Sequence, residues 1–70
     1  MEGVNSPSLY LFMILSTFEN NNKAANVCKI AGEYEVMFYK DNSYLESQLA
    51  LTEQQAENIA EDWVLNANII

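Results

Sequence analysis

Two stretches of alternating polar and apolar residues, 33–40 and 43–50, flank the dipeptide Asp41-Asn42. Asp and Asn tolerate the positive φ angles that a tight hairpin turn requires. The pattern therefore predicts a β-hairpin over residues 33–50. A symmetric turn at this dipeptide places Tyr39 opposite Tyr44, and this pairing sets the register of the whole hairpin.

The predicted register assigns each side chain of the hairpin to one of two faces. One face carries Tyr34, Val36 and Phe38 opposite Leu49, Ser47 and Leu45, and we expect it to pack in the core. The other face carries Glu33, Glu35, Met37 and Tyr39 opposite Ala50, Gln48, Glu46 and Tyr44. It is polar near Gly32 and has an exposed aromatic pair at the turn.

A capped amphipathic helix is predicted over residues 53–68. Thr52 occupies an N-cap position, Gln55 follows three residues later as in a capping box, and Glu53 lies in the first turn. At helical spacing one narrow apolar stripe consists of Ala56, Ile59, Ala60, Trp63, Ala67 and Ile70. Val64 and Ile69 flank this stripe, and Leu65 projects on the side opposite Trp63.

The first half of the chain contains an apolar run, residues 8–18, after a loose arm at residues 1–7. Ser6-Pro7 is a legitimate helix start. The run is nevertheless apolar on every side and ends in the turn-forming cluster Asn20-Asn21-Asn22, which favours a strand buried on both faces. One face of that strand carries Leu9, Leu11, Met13 and Leu15, and the other carries Tyr10, Phe12 and Ile14.

Residues 24–31 have a weak pattern that fits either a short strand or a short helix closed by Gly32. An extended conformation is favoured, with a bulge or tight turn at Gly32. The elements together predict one α+β domain over residues 1–70: an antiparallel sheet of three or four strands with the C-terminal helix packed on one face.

Charge limits the classes of partner. Ten acidic residues stand against three lysines, and the net charge is −7. Nucleic-acid affinity depends on clustered Lys and Arg, so direct nucleic-acid binding is not expected. The run from Leu9 to Leu15 is much shorter than the roughly 20 residues of a spanning helix, and no basic residue precedes it as in a signal peptide. We expect a protein that does not enter membranes and acts in the cytoplasm.

Residue types for catalysis or metal binding are scarce. The chain has one cysteine, no histidine and two glycines, which excludes an intrachain disulfide, a Cys/His zinc site and a phosphate-binding loop. A catalytic carboxylate needs a pocket that desolvates it, whereas the pairs Glu33/Glu35 and Glu61/Asp62 are predicted on open surfaces. No enzyme activity, cofactor or metal is expected, and Cys28 is interpreted as a small buried apolar residue.

Two surfaces are candidates for protein contacts. Glu53, Glu57, Glu61 and Asp62 form a helix flank without a basic partner, which is either a solvated surface or an acidic strip that binds a basic protein. One helix covers only one side of the sheet, so apolar residues must remain for self-association. These are Leu9, Leu11, Met13, Leu15, Tyr39, Tyr44 and Leu65. The expected function is a protein-interaction module, and the alternative is a homo-oligomeric virion or scaffold component.

The segments GEYEV (32–36) and AENIAEDW (56–63) carry a resemblance to a group of very small proteins of marine cyanophages and ocean sequence collections. These show a G-x-Y-x-V hairpin and a helix with an A-E-x-x-A-E-[DN]-W-like ending. The likeness covers about the second half of the chain. It implies a phage accessory protein that acts in a bacterial host cell or in a virion, and it carries no activity to any residue.

A second pattern is similar to the Sm-like fold, in which a helix precedes a strongly bent barrel that assembles into rings. Its residues are Gly32, Val36, Phe38, Lys40, Asn42 and Tyr44. The second Sm signature is missing, and the predicted C-terminal helix occupies residues that the last strands of that fold need. A small Sm-like ring protein is therefore the minor alternative.

Overall fold

The computed structural model describes residues 12–66. Four antiparallel strands, β1 (Phe12–Asn20), β2 (Lys23–Ile30), β3 (Glu33–Lys40) and β4 (Ser43–Ala50), form one open sheet in chain order. The helix α1 (Glu53–Leu65) packs against one face of this sheet. The predicted α+β fold is confirmed, and these residues form an open sheet rather than the bent Sm-like barrel. The predicted arm and residues 8–11 of the predicted first strand lie outside the described residues.

Three two-residue turns join the strands. Ala31 and Gly32 have φ angles of 50° and 86°, and Asp41 and Asn42 have 54° and 68°. Two successive positive φ angles are the geometry whose twist matches the twist of the flanking strands. The predicted hairpin turn is confirmed, and the alternatives at Gly32 are resolved in favour of a tight turn.

β2 is the most buried strand, although residues 24–31 have the weakest pattern in the sequence. Ala25, Val27 and Cys28 have no exposed surface. β2 pairs with β1 on one side and with β3 on the other, so both of its edges are covered. The favoured extended conformation is confirmed, and so is the burial of Cys28.

A bulge in β4 makes part of the predicted hairpin register wrong. Tyr39 pairs with Tyr44 as predicted, but Phe38 then pairs with Glu46, and Leu45 has no partner. An extra residue in one strand moves every later side chain to the opposite face. Leu49, predicted in the core, is consequently 63% exposed, while Ala50 packs against the core instead. Leu45 is also exposed.

β1 is exposed at its beginning, so its predicted burial on both faces is wrong. Phe12, Met13 and Ile14 are all exposed, while Leu15 and Phe18 are half-buried against the core. The register shifts between Ile14 and Ser16. β1 is an edge strand, and it continues through Glu19 to Asn20, where the sequence predicts a turn.

The helix begins where the sequence predicts. The Thr52 hydroxyl accepts a hydrogen bond from the Gln55 backbone N–H at 3.0 Å, and the Gln55 side chain accepts one from the Leu51 N–H at 2.7 Å. The helix ends at Leu65 rather than at residue 68, with Asn66 as its C-cap. Val64 is buried in the helix stripe rather than beside it. Ala67 and Ile70 lie outside the described residues.

Candidate interaction surface

The face of the sheet under α1, called here the helix face, contains the core of the domain. The core cluster consists of Ala25, Val27, Val36, Phe38, Ala56, Ala60 and Val64. Two alanines on the helix let it lie close to the sheet, and the half-buried Trp63 stacks obliquely on Phe38 with ring centroids 4.9 Å apart. No Leu, Ile or Met of the described residues is fully buried there, although Leu15 and Ile59 pack against the cluster half-buried. The largest fully buried side chains of this interior are Val27 and Val36.

Two side chains from the sheet bind the C-terminal end of α1. The Lys23 ammonium donates a hydrogen bond to the Trp63 carbonyl at 3.1 Å and lies 4.4 Å from the centroid of the Trp63 ring. The Asn20 amide donates to the Val64 carbonyl at 2.9 Å. The last carbonyls of a helix lack internal partners and carry partial negative charge. Lys23 is 4% exposed, and its role is to hold the helix on the sheet.

The other face of the sheet, called here the open face, is not covered by any described element. Cross-strand pairing places four rows of residues on it. In order from β1, these rows are Phe12, Ile30 and Glu33; Ile14, Cys28, Glu35 and Leu49; Thr17, Asn26, Met37 and Ser47; and Glu19, Ala24, Tyr39 and Tyr44. Most of these side chains are apolar, and Phe12, Ile14, Tyr44 and Leu49 are each about half exposed or more.

The charged groups of the open face are all carboxylates. Glu35 accepts a hydrogen bond from the Ser47 hydroxyl at 2.6 Å, whereas Glu19 and Glu33 are exposed. The three lysines lie on the helix face, where Lys29 is opposite Tyr34 and Lys23 is opposite Lys40. The open face is therefore apolar and acidic.

Cys28 lies in the centre of the open face but is shielded by its neighbours. Its sulfur is 3.8 Å from the Met37 sulfur, and the residue has no exposed surface. Burial raises the pKa of the Cys28 thiol, and the nearby Glu35 carboxylate raises it further. A thiol that keeps its proton is a poor nucleophile, so this arrangement does not activate the cysteine.

The residues predicted for self-association fall on separate surfaces. Tyr39 and Tyr44 pack edge to face on the open face, with ring centroids 5.7 Å apart. Met13 pairs with Lys29 in a row of the helix face, and Leu65 is exposed on α1. Leu15 packs partly against the core. Leu9 and Leu11 lie outside the described residues.

Sequence reasoning missed three exposed residues of the open face. The predicted contact residues of the first strand lie on the face of Met13 and Leu15 and do not include Phe12 or Ile14, and Leu49 is predicted in the core. No local signal identifies the bulge in β4 that moves Leu49 to the open face. Strand alternation places Phe12 and Ile14 on the same face of β1. Once the helix is known to cover the other face, their exposure follows.

The acidic flank of α1 is interrupted by a contact with the sheet. Glu53, Glu61 and Asp62 are exposed, but Glu57 is half-buried and accepts a hydrogen bond from the Ser16 hydroxyl at 3.3 Å. A groove of about 520 Å³ runs beside the helix over β4, lined by Phe38, Trp63 and polar side chains. This groove exists because α1 leaves most of β4 uncovered.

Among residues 12–66, no cluster of three or more His, Cys, Asp or Glu side chains could hold a metal ion. Within the same range, α1 is too short and too polar to cross a membrane. Comparison of the chain with family models, with curated proteins and with solved structures gives no match. Its function is consequently inferred from the two faces of the sheet.

Proposed function

We propose that the protein is a non-enzymatic protein-interaction module whose contact surface is the open face of the sheet. The carrying observation is the apolar surface that the described elements leave uncovered. α1 packs on one face of the sheet, while Phe12, Ile14, Tyr44 and Leu49 on the other face are between 47% and 63% exposed. A contiguous apolar surface of this kind is typical of an interaction site.

The dimensions of the open face suit a protein contact. Four strands about 4.8 Å apart and eight residues long, at about 3.3 Å per residue, cover roughly 500 Å² in projection. A standard interface buries about 800 Å² of accessible surface on each partner. A face of this size, together with the side chains at its rim, is sufficient for a specific contact of moderate strength.

Support for a non-enzymatic role comes from the chemistry of the described residues. The Cys28 thiol is buried and its pKa is raised. The carboxylates of Glu19, Glu33 and Glu61 lie at exposed positions, whereas catalytic carboxylates are typically desolvated. The resemblance to cyanophage proteins makes a bacterial host protein or a phage protein the partner to seek.

A homo-oligomeric structural component is the second candidate, favoured by the edge of β1. The exposed residues Phe12, Met13 and Ile14 adjoin the outer edge of β1, with which no other described strand pairs. An exposed apolar edge can pair with the same edge of a second copy. Light scattering distinguishes the candidates, because the module is expected to be monomeric without its partner and the structural component is not.

The test of the proposed function is affinity capture from a bacterial lysate with the wild-type chain and two variants. Ile14→Thr/Met37→Thr alters the open face but keeps residues that favour strands, and Leu65→Gln alters an exposed apolar residue of α1. We expect the first variant to lose captured proteins that the second retains, with both folded by circular dichroism. Equal capture by all three chains would contradict the open face as the contact surface.

A further inference from the structure

The apolar residues of the open face form a diagonal band. Cross-strand pairing aligns six of them from the beginning of β1 to the beginning of β4. This apolar diagonal consists of Phe12, Ile14, Cys28, Met37, Tyr39 and Tyr44. Strand spacing and rise make it about 25 Å long, which is the length of a helix of about 16 residues.

Carboxylates lie on both sides of the apolar diagonal. Glu19 is at the far end of β1 on one side, and Glu33 and Glu35 are at the beginning of β3 on the other. No lysine of the described residues is on this face. An occupant of the diagonal therefore meets negative charge along both of its flanks.

The shape of the sheet agrees with the direction of this band. A twisted sheet is saddle-shaped, so the diagonal that is concave on one face is convex on the other. α1 starts after the end of β4 and ends beside Asn20 and Lys23, at the opposite corner of the helix face. α1 therefore follows the concave diagonal of the helix face. On the open face the concave diagonal is the other one, and the apolar diagonal runs along it.

We propose that the apolar diagonal binds an amphipathic helix of a protein partner, with Lys or Arg residues along both flanks of its apolar stripe. This inference rests on the proposed function and specifies the chemistry of the partner. A helix satisfies its backbone hydrogen bonds internally, whereas a strand laid flat on the sheet would leave its own backbone groups without partners. The bound helix forms a third layer opposite α1.

A second copy of the chain does not fit this surface. Face-to-face packing would bring Glu19, Glu33 and Glu35 of each copy against an equally acidic face with no lysine. α1 of another copy does not fit either, since it has four carboxylates and no basic residue. All three lysines of the sequence lie in strands of the sheet, so no segment of the chain supplies a basic helix.

Two synthetic peptides test the proposal with the full chain. Both have about 16 residues and the same leucine stripe at helical spacing, one with lysines on both flanks and one with glutamates. Fluorescence anisotropy of the labelled peptides measures binding at low and at moderate salt. We expect the lysine peptide to bind at least about tenfold more tightly, and its affinity to fall as salt rises.

Matched charge reversals locate the peptide. Glu19→Lys/Glu33→Lys changes the open face, while Glu53→Lys/Glu61→Lys makes the same change in net charge on α1. We expect the first pair to weaken the lysine peptide about tenfold and the second about twofold, since distant charges are screened. Ile14→Thr/Met37→Thr should weaken it as well, and Leu65→Gln should not.

The other outcomes overturn specific parts of the argument. Equal affinity of the two peptides, or a larger loss from the α1 reversals, would contradict a basic helix on the open face. If the lysine peptide does not bind while Ile14→Thr/Met37→Thr still loses captured proteins, this partner class is wrong and the proposed function stands. If neither experiment responds to open-face variants, both proposals fall. A dimer that these variants dissociate would show that a second copy occupies the face.

Discussion

The two faces of the sheet are built from the same four strands but differ in charge and in coverage. The helix face contains the core and all three lysines, and α1 packs across it. The open face contains the exposed residues Phe12, Ile14, Tyr44 and Leu49 and only acidic charges. Strand alternation lets a short chain carry a folding core on one face and a different, uncovered surface on the other.

The difference follows from how much surface one helix can cover. α1 buries its narrow stripe of Ala56, Ala60 and Val64, and no other described element lies over the sheet. A domain of this length has a marginal core. The exposed apolar residues of the open face bury little surface in the isolated domain, which is why we propose that they serve in association.

The largest expected difference between the faces is in the stability cost of substituting two adjacent residues of β3. Phe38 is 4% exposed and contacts Trp63, whereas the neighbouring Met37 lies on the open face. Phe38→Ala should cost about 3 to 5 kcal/mol, enough to unfold a small domain, while Met37→Ala should cost less than about 1 kcal/mol. Urea unfolding followed by circular dichroism measures both. Similar losses would mean that the open face is part of the core.

A second comparison uses two lysines opposite each other on the helix face. Lys23→Met leaves the Trp63 carbonyl without its hydrogen bond and removes the cation at the helix C-terminus. We expect a loss of about 1 to 3 kcal/mol. Lys40→Met, at the exposed partner position, should change stability by less than about 0.5 kcal/mol. Thermal unfolding of the two variants would contradict the proposed role of Lys23 if their midpoints were equal.

The helix cap tests how firmly α1 covers its face. Thr52→Ala removes the acceptor for the Gln55 N–H and should cost about 1 kcal/mol. Thr52→Ser keeps that acceptor and serves as the control. Hydrogen exchange of the α1 amides should accelerate in the alanine variant only. Unchanged exchange in both variants would show that packing on the sheet, rather than the cap, holds the first turn.

The smallest expected effect concerns Cys28 on the open face. Its folded-state pKa is raised above the ordinary value of 9.0, so below that pH the thiol is protonated in both states. Above it the thiol ionises more readily in the unfolded chain, and the free energy of unfolding should fall as pH rises. Chemical denaturation of the wild type and Cys28→Ala across this range measures the difference. Glu35→Gln should reduce this difference, because the Glu35 carboxylate contributes to the raised pKa of Cys28.

Several elements are readable from the sequence because their signals are local. Asp41-Asn42 predicts its turn from backbone preferences, and Thr52 with Gln55 predicts the helix start from side-chain hydrogen bonds. The α+β fold follows from these two elements and the remaining apolar runs. The acidic net charge and the absence of histidine are likewise properties of composition.

Other features depend on contacts between distant parts of the chain. The bulge at Leu45 moved Leu49 from the predicted core to the open face, and a bulge depends on how the whole strand packs rather than on its own residues. Lys23 in isolation resembles a surface charge until the end of α1 lies over it. Which side of β1 is exposed depended on where the helix docks. Alternation along a strand distinguishes two faces, but only the packed helix determines which one remains open.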